Sequence, residues 1–398
     1  MPRAVPFESA TMPDAAPRLW VERLTLTNFR NYKSATLELG PEPVVLAGAN
    51  GSGKTNLLEA VSLLAPGQGL RRAAYADIAR VPGDGSWSVA AKVHTDLGAV
   101  DIGTGLAAGA ENAAGRIVRI DGVTKAGSGV LADYVEVAWL TPAMDGLFTG
   151  PASERRRFLD RLILCFDAEH GRRASRFERA MQQRNRLLSD EVRDNARFQG
   201  LEEVMAETGV AIAAARAEAS AALQAISERR RERDQDSAFP WAKIAVEGSL
   251  EADISAMAAL DVEERYRAAL RSGRERDRAA GRTLEGPHRS DLVVEHGPKA
   301  MPARLCSTGE QKALLLGLVL SHAELTAERQ GGRAPILLLD EVTAHLDAAR
   351  RAALFAEILA IGTQAWMTGT DAEAFSALQG RALFLSVDEG RAGVWPQG

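Results

Sequence analysis

An α/β fold is predicted, in which both ends of the chain build one head and a mainly α-helical arm is inserted between them. Three observations predict it. A short apolar strand, Val44-Val45-Leu46-Ala47, runs into a Gly-rich turn and then a helix. A second continuous apolar run, Ile336 to Leu339, ends at paired acids, Asp340-Glu341. Between them, residues 151–235 hold almost no Gly or Pro and are rich in Arg, Glu and Ala, the composition of long helices.

Taken in order, residues 1–18 hold four Pro and lack the apolar core of a signal peptide, so they are read as a flexible extension. Residues 19–150 form the N-terminal part of the head. Val21, Leu24 and Leu26, then Ala35 to Leu39, make a hairpin or two neighbouring strands. The strand at 44–47 follows, and Asn56 to Leu64 has helical periodicity that stops at Pro66-Gly67. Short strands are expected at 87–93, 116–120 and 135–140. The arm spans about 151–280, with a bend or hairpin near Asp190 to Gly200 and too few heptads for an extended coiled coil. Strand-like pieces return at 243–246 and 292–295. Residues 281–398 complete the head: a helix after Gly309, the strand at 336–339, and a final strand at 365–371. The head is therefore expected to hold a mixed sheet with flanking helices.

With 46% hydrophobic and 25% charged residues, the chain reads as a soluble globular protein of two domains. A net charge of -5 gives no global attraction to nucleic acid, so any such contact must use a local patch. Of the 48 basic residues only seven are Lys. That bias fits either a GC-rich genome or bidentate phosphate contact. Cys165 and Cys306 are too few for a disulfide framework or metal cluster and fit a reducing cytosol. No apolar run is long enough to span a membrane, and a cytoplasmic, nucleoid-associated location is expected.

The turn after the first strand is Gly48-Ala49-Asn50-Gly51-Ser52-Gly53-Lys54-Thr55, a full P-loop pattern in the strand–helix setting that the motif requires. Its glycines let successive N–H groups turn inward around phosphate oxygens, and the helix N-terminus adds positive potential. Lys54 is assigned to the β and γ phosphates of ATP, and the Thr55 hydroxyl to Mg²⁺. Asp340 suits the same Mg²⁺, and Glu341 suits a base that polarises the attacking water. Positions 54 and 340 lie 286 apart, so the nucleotide head must be split by the arm. Ser307-Thr308-Gly309-Glu310-Gln311-Lys312 opens another helix and presents a second anion-binding end. One reading is an ordinary N-cap. The other is a cap on the γ-phosphate held by a second copy, which makes an isologous dimer around two ATP molecules.

These segments together resemble ATP-binding-cassette heads. Ser307 to Glu310 is similar to their signature loop in its SMC-like form, and Asp340 to Asp347 to Walker B running into the D-loop. Where that family places a switch His, this chain offers Thr368 or Thr370, and Gln68 follows the P-loop too closely for a Q-loop. The match narrows to the RecF family. Leu26 to Tyr32, Asn50 to Ala60, Leu140 to Asp145, Arg155 to Asp160 and Gly286 to Leu292 resemble that family's motifs in order, over about residues 22–372. The resemblance implies a slow, DNA-stimulated ATPase that dimerises on ATP and clamps duplex DNA near single-strand gaps. It also implies help in loading RecA recombinase, with RecR and RecO as partners. It places Arg30, Asn56, Ser307, Gly309 and Asp347 beside the P-loop residues at the nucleotide and gives Ser307 a catalytic part with Lys54 and Glu341. The alternative is an SMC-like, ATP-switched DNA-binding protein with another repair or replication role. A nuclease has no room for its own domain, and the helical insertion and missing switch His disfavour a transporter head.

For DNA, the expected contacts are Arg71 and Arg72 after the P-loop helix, and Arg155, Arg156, Arg172 and Arg173 at the start of the arm. Residues 151–200 hold 12 Arg against eight acids. Such a run serves equally as a salt-bridged helix face.

Overall fold

The computed structural model describes residues 19–109, 115–192, 194–234 and 237–395. The extension read at residues 1–18 lies outside them. Alternating apolar residues build the first sheet. In β1 (Trp20–Phe29), Val21, Leu24, Leu26 and Phe29 are buried, and β2 (Tyr32–Glu38) returns antiparallel with Leu26 opposite Ala35. The chain then leaves this sheet for β3 (Val44–Ala47), buried along its whole length, and α1 (Lys54–Ser62). It comes back as β4 (Trp87–Thr95), β5 (Gly98–Leu106), β6 (Ile117–Ile120) and β7 (Val123–Lys125). These six strands pair antiparallel in the order β2-β1-β4-β5-β6-β7. Their in–out alternation marks a sheet covered on one face.

β8 (Val137–Leu140) leads into α2 (Ala152–Ile163), α3 (His170–Ser189) and α4 (Asn195–Arg233). β9 (Ala242–Glu247), α5 (Ser249–Ala256), α6 (Ala259–Ser272) and α7 (Arg274–Ala280) follow. The arm has its own core, in which Phe177, Met205, Val210, Tyr266 and Leu270 pack together. α2 and the C-terminal half of α4 face elsewhere: Phe158, Leu162, Leu223 and Ile226 join the core of the head. The small sheet β11-β10-β9 forms as β10 (Asp291–His296) pairs with β9 and with β11 (Met301–Pro302).

α8 (Thr308–Arg329), β12 (Ile336–Leu339), α9 (Ala348–Ile361) and β13 (Ala365–Gly369) complete the central sheet, but they do not end it. β14 (Leu383–Asp388) and β15 (Arg391–Val394) extend it, so the strand at 365–371 is not the last. β14 pairs parallel with β3, which the sequence alone does not advertise. The order is β15-β14-β3-β13-β12-β8, with β8, β12, β13, β3 and β14 parallel. β3, β12 and β13 are buried throughout, as strands covered on both faces should be. The head holds the expected mixed sheet, five parallel strands with β15 antiparallel at its edge, and a second, antiparallel sheet besides. The parallel strands bring the ends of β3, β13 and β12 to one edge, where α/β sheets hold ligands.

Candidate functional site

The P-loop occupies that edge. Gly51 and Gly53 have φ of 80° and 119°, conformations that turn N–H groups inward without a Cβ clash. Gly48 serves packing as well: a Cβ there would stand 2.2 Å from the Val387 carbonyl oxygen on β14. The β14–β15 turn also fixes the loop, because Gly390 N–H donates to Ser52 O at 3.1 Å. Asn31 Nδ2 donates to the same carbonyl at 2.9 Å, and Tyr32 Oη to Gly53 O at 3.1 Å. The loop shape is thus held from three sides before any ligand arrives. Lys54 curls over the loop and donates to the Gly48 and Ala49 carbonyls at 2.7 and 2.8 Å. Burial lowers its pKa, opposed by the nearby carboxylates of Glu341 and Asp340. Among the described residues Ser52 Oγ is buried without a partner. An orphaned hydroxyl inside an inward-facing nest fits a phosphate oxygen.

Thr55 Oγ1 donates to Asp340 at 2.9 and 3.1 Å, joining residues 285 positions apart. Thr368 Oγ1 donates to Asp340 Oδ1 at 2.8 Å and accepts from Glu341 N–H at 2.8 Å. One hydroxyl therefore orients both acidic residues. Thr368 is fully buried and Thr370 exposed, which separates the two switch candidates. The hydroxyl–carboxylate pair of Thr55 and Asp340 offers the hard oxygen ligands that suit Mg²⁺ with phosphate and water completing its shell. Glu341 has φ of 47° and is exposed.

Arg30 does not point free toward a ligand. Its guanidinium grips the buried Glu59 of α1 at 2.6 and 2.8 Å. Arg71 shares that carboxylate at 3.0 Å and also donates to Asn56 Oδ1 at 2.6 Å. Asn56 in turn donates to Asn31 Oδ1 at 2.7 Å. Glu59 is thus a hub between the P-loop helix and two arginines, and sequence reading missed it because its partners lie in other segments.

Ser307 and Gly309 make no hydrogen bond to the P-loop of their own chain among the described residues. Ser307 N-caps α8 in a full capping box with Glu310. Lys299, with Ser307, pulls the Glu310 carboxyl down to about 2. Asp347 N-caps α9, accepting from Arg350 N–H at 2.8 Å. The bare face of Gly309 lies against the D-loop: a Cβ there would be 3.2 Å from the His345 carbonyl oxygen.

The arginines expected on DNA divide sharply. Arg155 is bound to Asp291 at 2.7 and 2.8 Å and to Gly150 O at 2.7 Å, with a side chain 14% exposed. Arg156 donates to Ser290 O at 2.6 Å. Both brace the arm base against the head, so their guanidinium groups are engaged within the chain. His288, half-buried, pairs with Thr283 O in the same brace, and burial lowers its pKa. Arg173 pairs with Asp167, and Arg172, largely exposed, with Glu169 at 2.7 Å. Arg72 is exposed.

A family model described as an AAA domain matches residues 23–90. DNA replication and repair protein RecF of Mesorhizobium japonicum is 59% identical over 373 residues, covering 94% of this chain and 97% of that one. The protein of the same name from Brucella suis is 55% identical over 375 residues, covering 94% and 96%. Among solved structures, the recombination mediator protein RecF-ATPrS superposes with a TM-score of 0.82 at 22% identity, covering 96% of this chain and all of that one. The Smc head domain of Pyrococcus furiosus gives 0.53 at 17% identity, covering 95% and 96%. These two structural likenesses speak to the fold.

Proposed function

The chain belongs to the RecF family of DNA replication and repair proteins, and on that premise we propose that it is an ATP-switched recombination mediator. It binds ATP and Mg²⁺, pairs with a second copy, clamps duplex DNA near single-strand gaps and helps load RecA recombinase. RecR and RecO are its partners in that role, and its hydrolysis is slow and stimulated by DNA.

One observation carries the reading: Asp340 accepts from both Thr55 and Thr368, which joins the phosphate cradle and two acids from both ends of the chain. Lys54 and the P-loop N–H groups hold the β and γ phosphates. Thr55 and Asp340 would hold Mg²⁺, which when bound would supply charge neutralisation on the phosphates. Glu341 takes the proton of the attacking water, and Thr368 keeps both acids in place. Ser307 and Gly309, separate from this cradle, cap the γ-phosphate of the other copy. No helix among the described residues is long and apolar enough to cross a membrane.

Sedimentation tests the switch. Glu341→Gln with ATP and Mg²⁺ should sediment as a dimer, while Lys54→Met should bind no nucleotide and stay monomeric. An unchanged mass for Glu341→Gln with and without ATP refutes the shared site.

A further inference from the structure

Charge around the N-terminus of α8 is almost fully spent. Glu310 is neutralised by Lys299 and accepts from Ser307 N–H and Oγ–H at 3.0 and 2.9 Å. Ser307 Oγ also accepts from Glu310 N–H and so closes the capping box. From the capping box itself a phosphate would meet little beyond the helix end, about half an elementary charge. Arg350 is the exception. It lies in the first turn of α9, and its Nη1 would be 3.6 Å from a Cβ built on Gly309. The guanidinium therefore rests against the bare side of the signature glycine. Its paired carboxylate, Asp347, is 3.8 Å away, beyond hydrogen-bond reach, and the side chain is a quarter exposed. Among the described residues its guanidinium has no hydrogen-bond acceptor. Arg351, next in sequence, shows the contrast: it donates to Leu346 O at 2.9 Å and is a strut within the D-loop.

We propose that Arg350 is a phosphate-contacting residue acting in trans, its guanidinium meeting the γ-phosphate held by the P-loop of a second copy. This rests on the shared-site reading above. In the reaction, a water oxygen bonds to the γ phosphorus, the bond to the β–γ bridging oxygen breaks, and ADP leaves. Glu341 receives the water proton. Arg350 exchanges no proton; its planar fork stabilises the charge on the γ-phosphate oxygens as they pass through the transition state. The helix end alone cannot supply a full charge, and among the described residues no other cationic atom lies within 4 Å of a Cβ built on Gly309.

The test uses the full chain and measures monomer ATP binding, sedimentation and phosphate release together. Arg350→Ala and Arg350→Gln should bind ATP as monomers within about twofold of wild type, which also shows that they are folded. Their turnover should fall at least about tenfold, with Arg350→Lys intermediate because it keeps charge but loses the fork. Mixing then assigns the side. Excess Lys54→Met chain, which binds no nucleotide but carries Arg350, should restore turnover to Arg350→Ala. The Lys54→Met/Arg350→Ala chain should not. Equal turnover in the two mixtures, or a wild-type rate for Arg350→Gln, overturns the proposal. If Glu341→Gln stays monomeric with ATP, the shared site itself fails and this assignment with it. A dimeric Glu341→Gln beside an undiminished Arg350→Gln overturns Arg350 alone.

Discussion

Thr368 shows how a single hydroxyl ties two acidic residues together. It gives its proton to Asp340 and its lone pair to the Glu341 N–H, both at 2.8 Å. Thr368→Val keeps the volume but leaves a carboxylate oxygen without a donor and a buried N–H without an acceptor. ATP affinity should change little, because Lys54 and the P-loop remain. The turnover number should fall about ten- to a hundredfold, the usual cost of losing a residue that orients a ligand-holding carboxylate. Thr368→Ser should restore it. Steady-state phosphate release that separates turnover from the Michaelis constant decides the matter, and an unchanged turnover number in the Val variant removes the role. At this scale legibility follows contiguity. Lys54, Thr55, Asp340 and Glu341 declare themselves because the strand, turn and acids of each motif adjoin in sequence. Thr368 and Thr370 stay equivalent until strand pairing buries one and exposes the other. Glu59 and Arg350 are silent for the same reason, since their partners come from segments that only the fold brings near.

Helix α8 carries the signature loop at its start and is buried along most of its length. Its position depends partly on His322, fully buried, whose Nε2 pairs with Leu162 O of α2 at 2.8 Å. Burial pushes the His322 pKa from its ordinary value down to about 4. Above pH ~6.5 the imidazole is neutral in folded and unfolded chains alike, so the full stability of the packing is present. As pH falls toward 4 the unfolded chain gains a proton that the folded chain refuses, and stability is lost through that window. At about 1.4 kcal/mol per unit, the loss approaches ~3 kcal/mol at pH 4. Urea denaturation of wild type and His322→Gln at pH 7 and 4.5 should show a smaller pH-dependent loss in the variant. Parallel losses in the two proteins contradict this account. Elements were legible where they were long or strictly periodic, as in α4, β4 and β12. The β14–β15 hairpin was not, because its short strands are defined by pairing with β3 and by packing on Gly48 rather than by their own pattern. α5 and α7 are short helices whose place is set by the arm core and its ion pairs, which no local periodicity encodes.

Across the whole molecule, the spacing between Lys54 and Asp340 announced a discontinuous head, and strands from both halves do pair in one sheet. A net charge of -5 then asks how such a chain grips a polyanion. Arg155 and Arg156, spent on Asp291 and Ser290, do not answer it. Arg172, Arg176 and Arg179 are the arginines we propose for it: they follow one another along one side of α3 and line a cavity of about 810 Å³ between the arm base and the head. Among the described residues Arg172 and Arg176 pair only with the exposed carboxylates of Glu169 and Glu207, pairs that contribute at most about 1 kcal/mol and exchange readily for phosphate. A monomer offers one such row, whereas a dimer offers two. Duplex DNA should therefore bind tightly only with ATP, and its affinity should fall steeply with salt as counterions are released. Replacing the three arginines by Ala should leave ATP-driven dimerisation intact and flatten the slope of log affinity against log salt by about 0.9 for each phosphate that is no longer neutralised. Fluorescence anisotropy with a labelled duplex, from 50 to about 200 mM salt and with and without ATP, reads both effects. Equal binding without nucleotide would sink the conditional grip, and an unchanged slope in the triple variant would move the DNA surface away from α3.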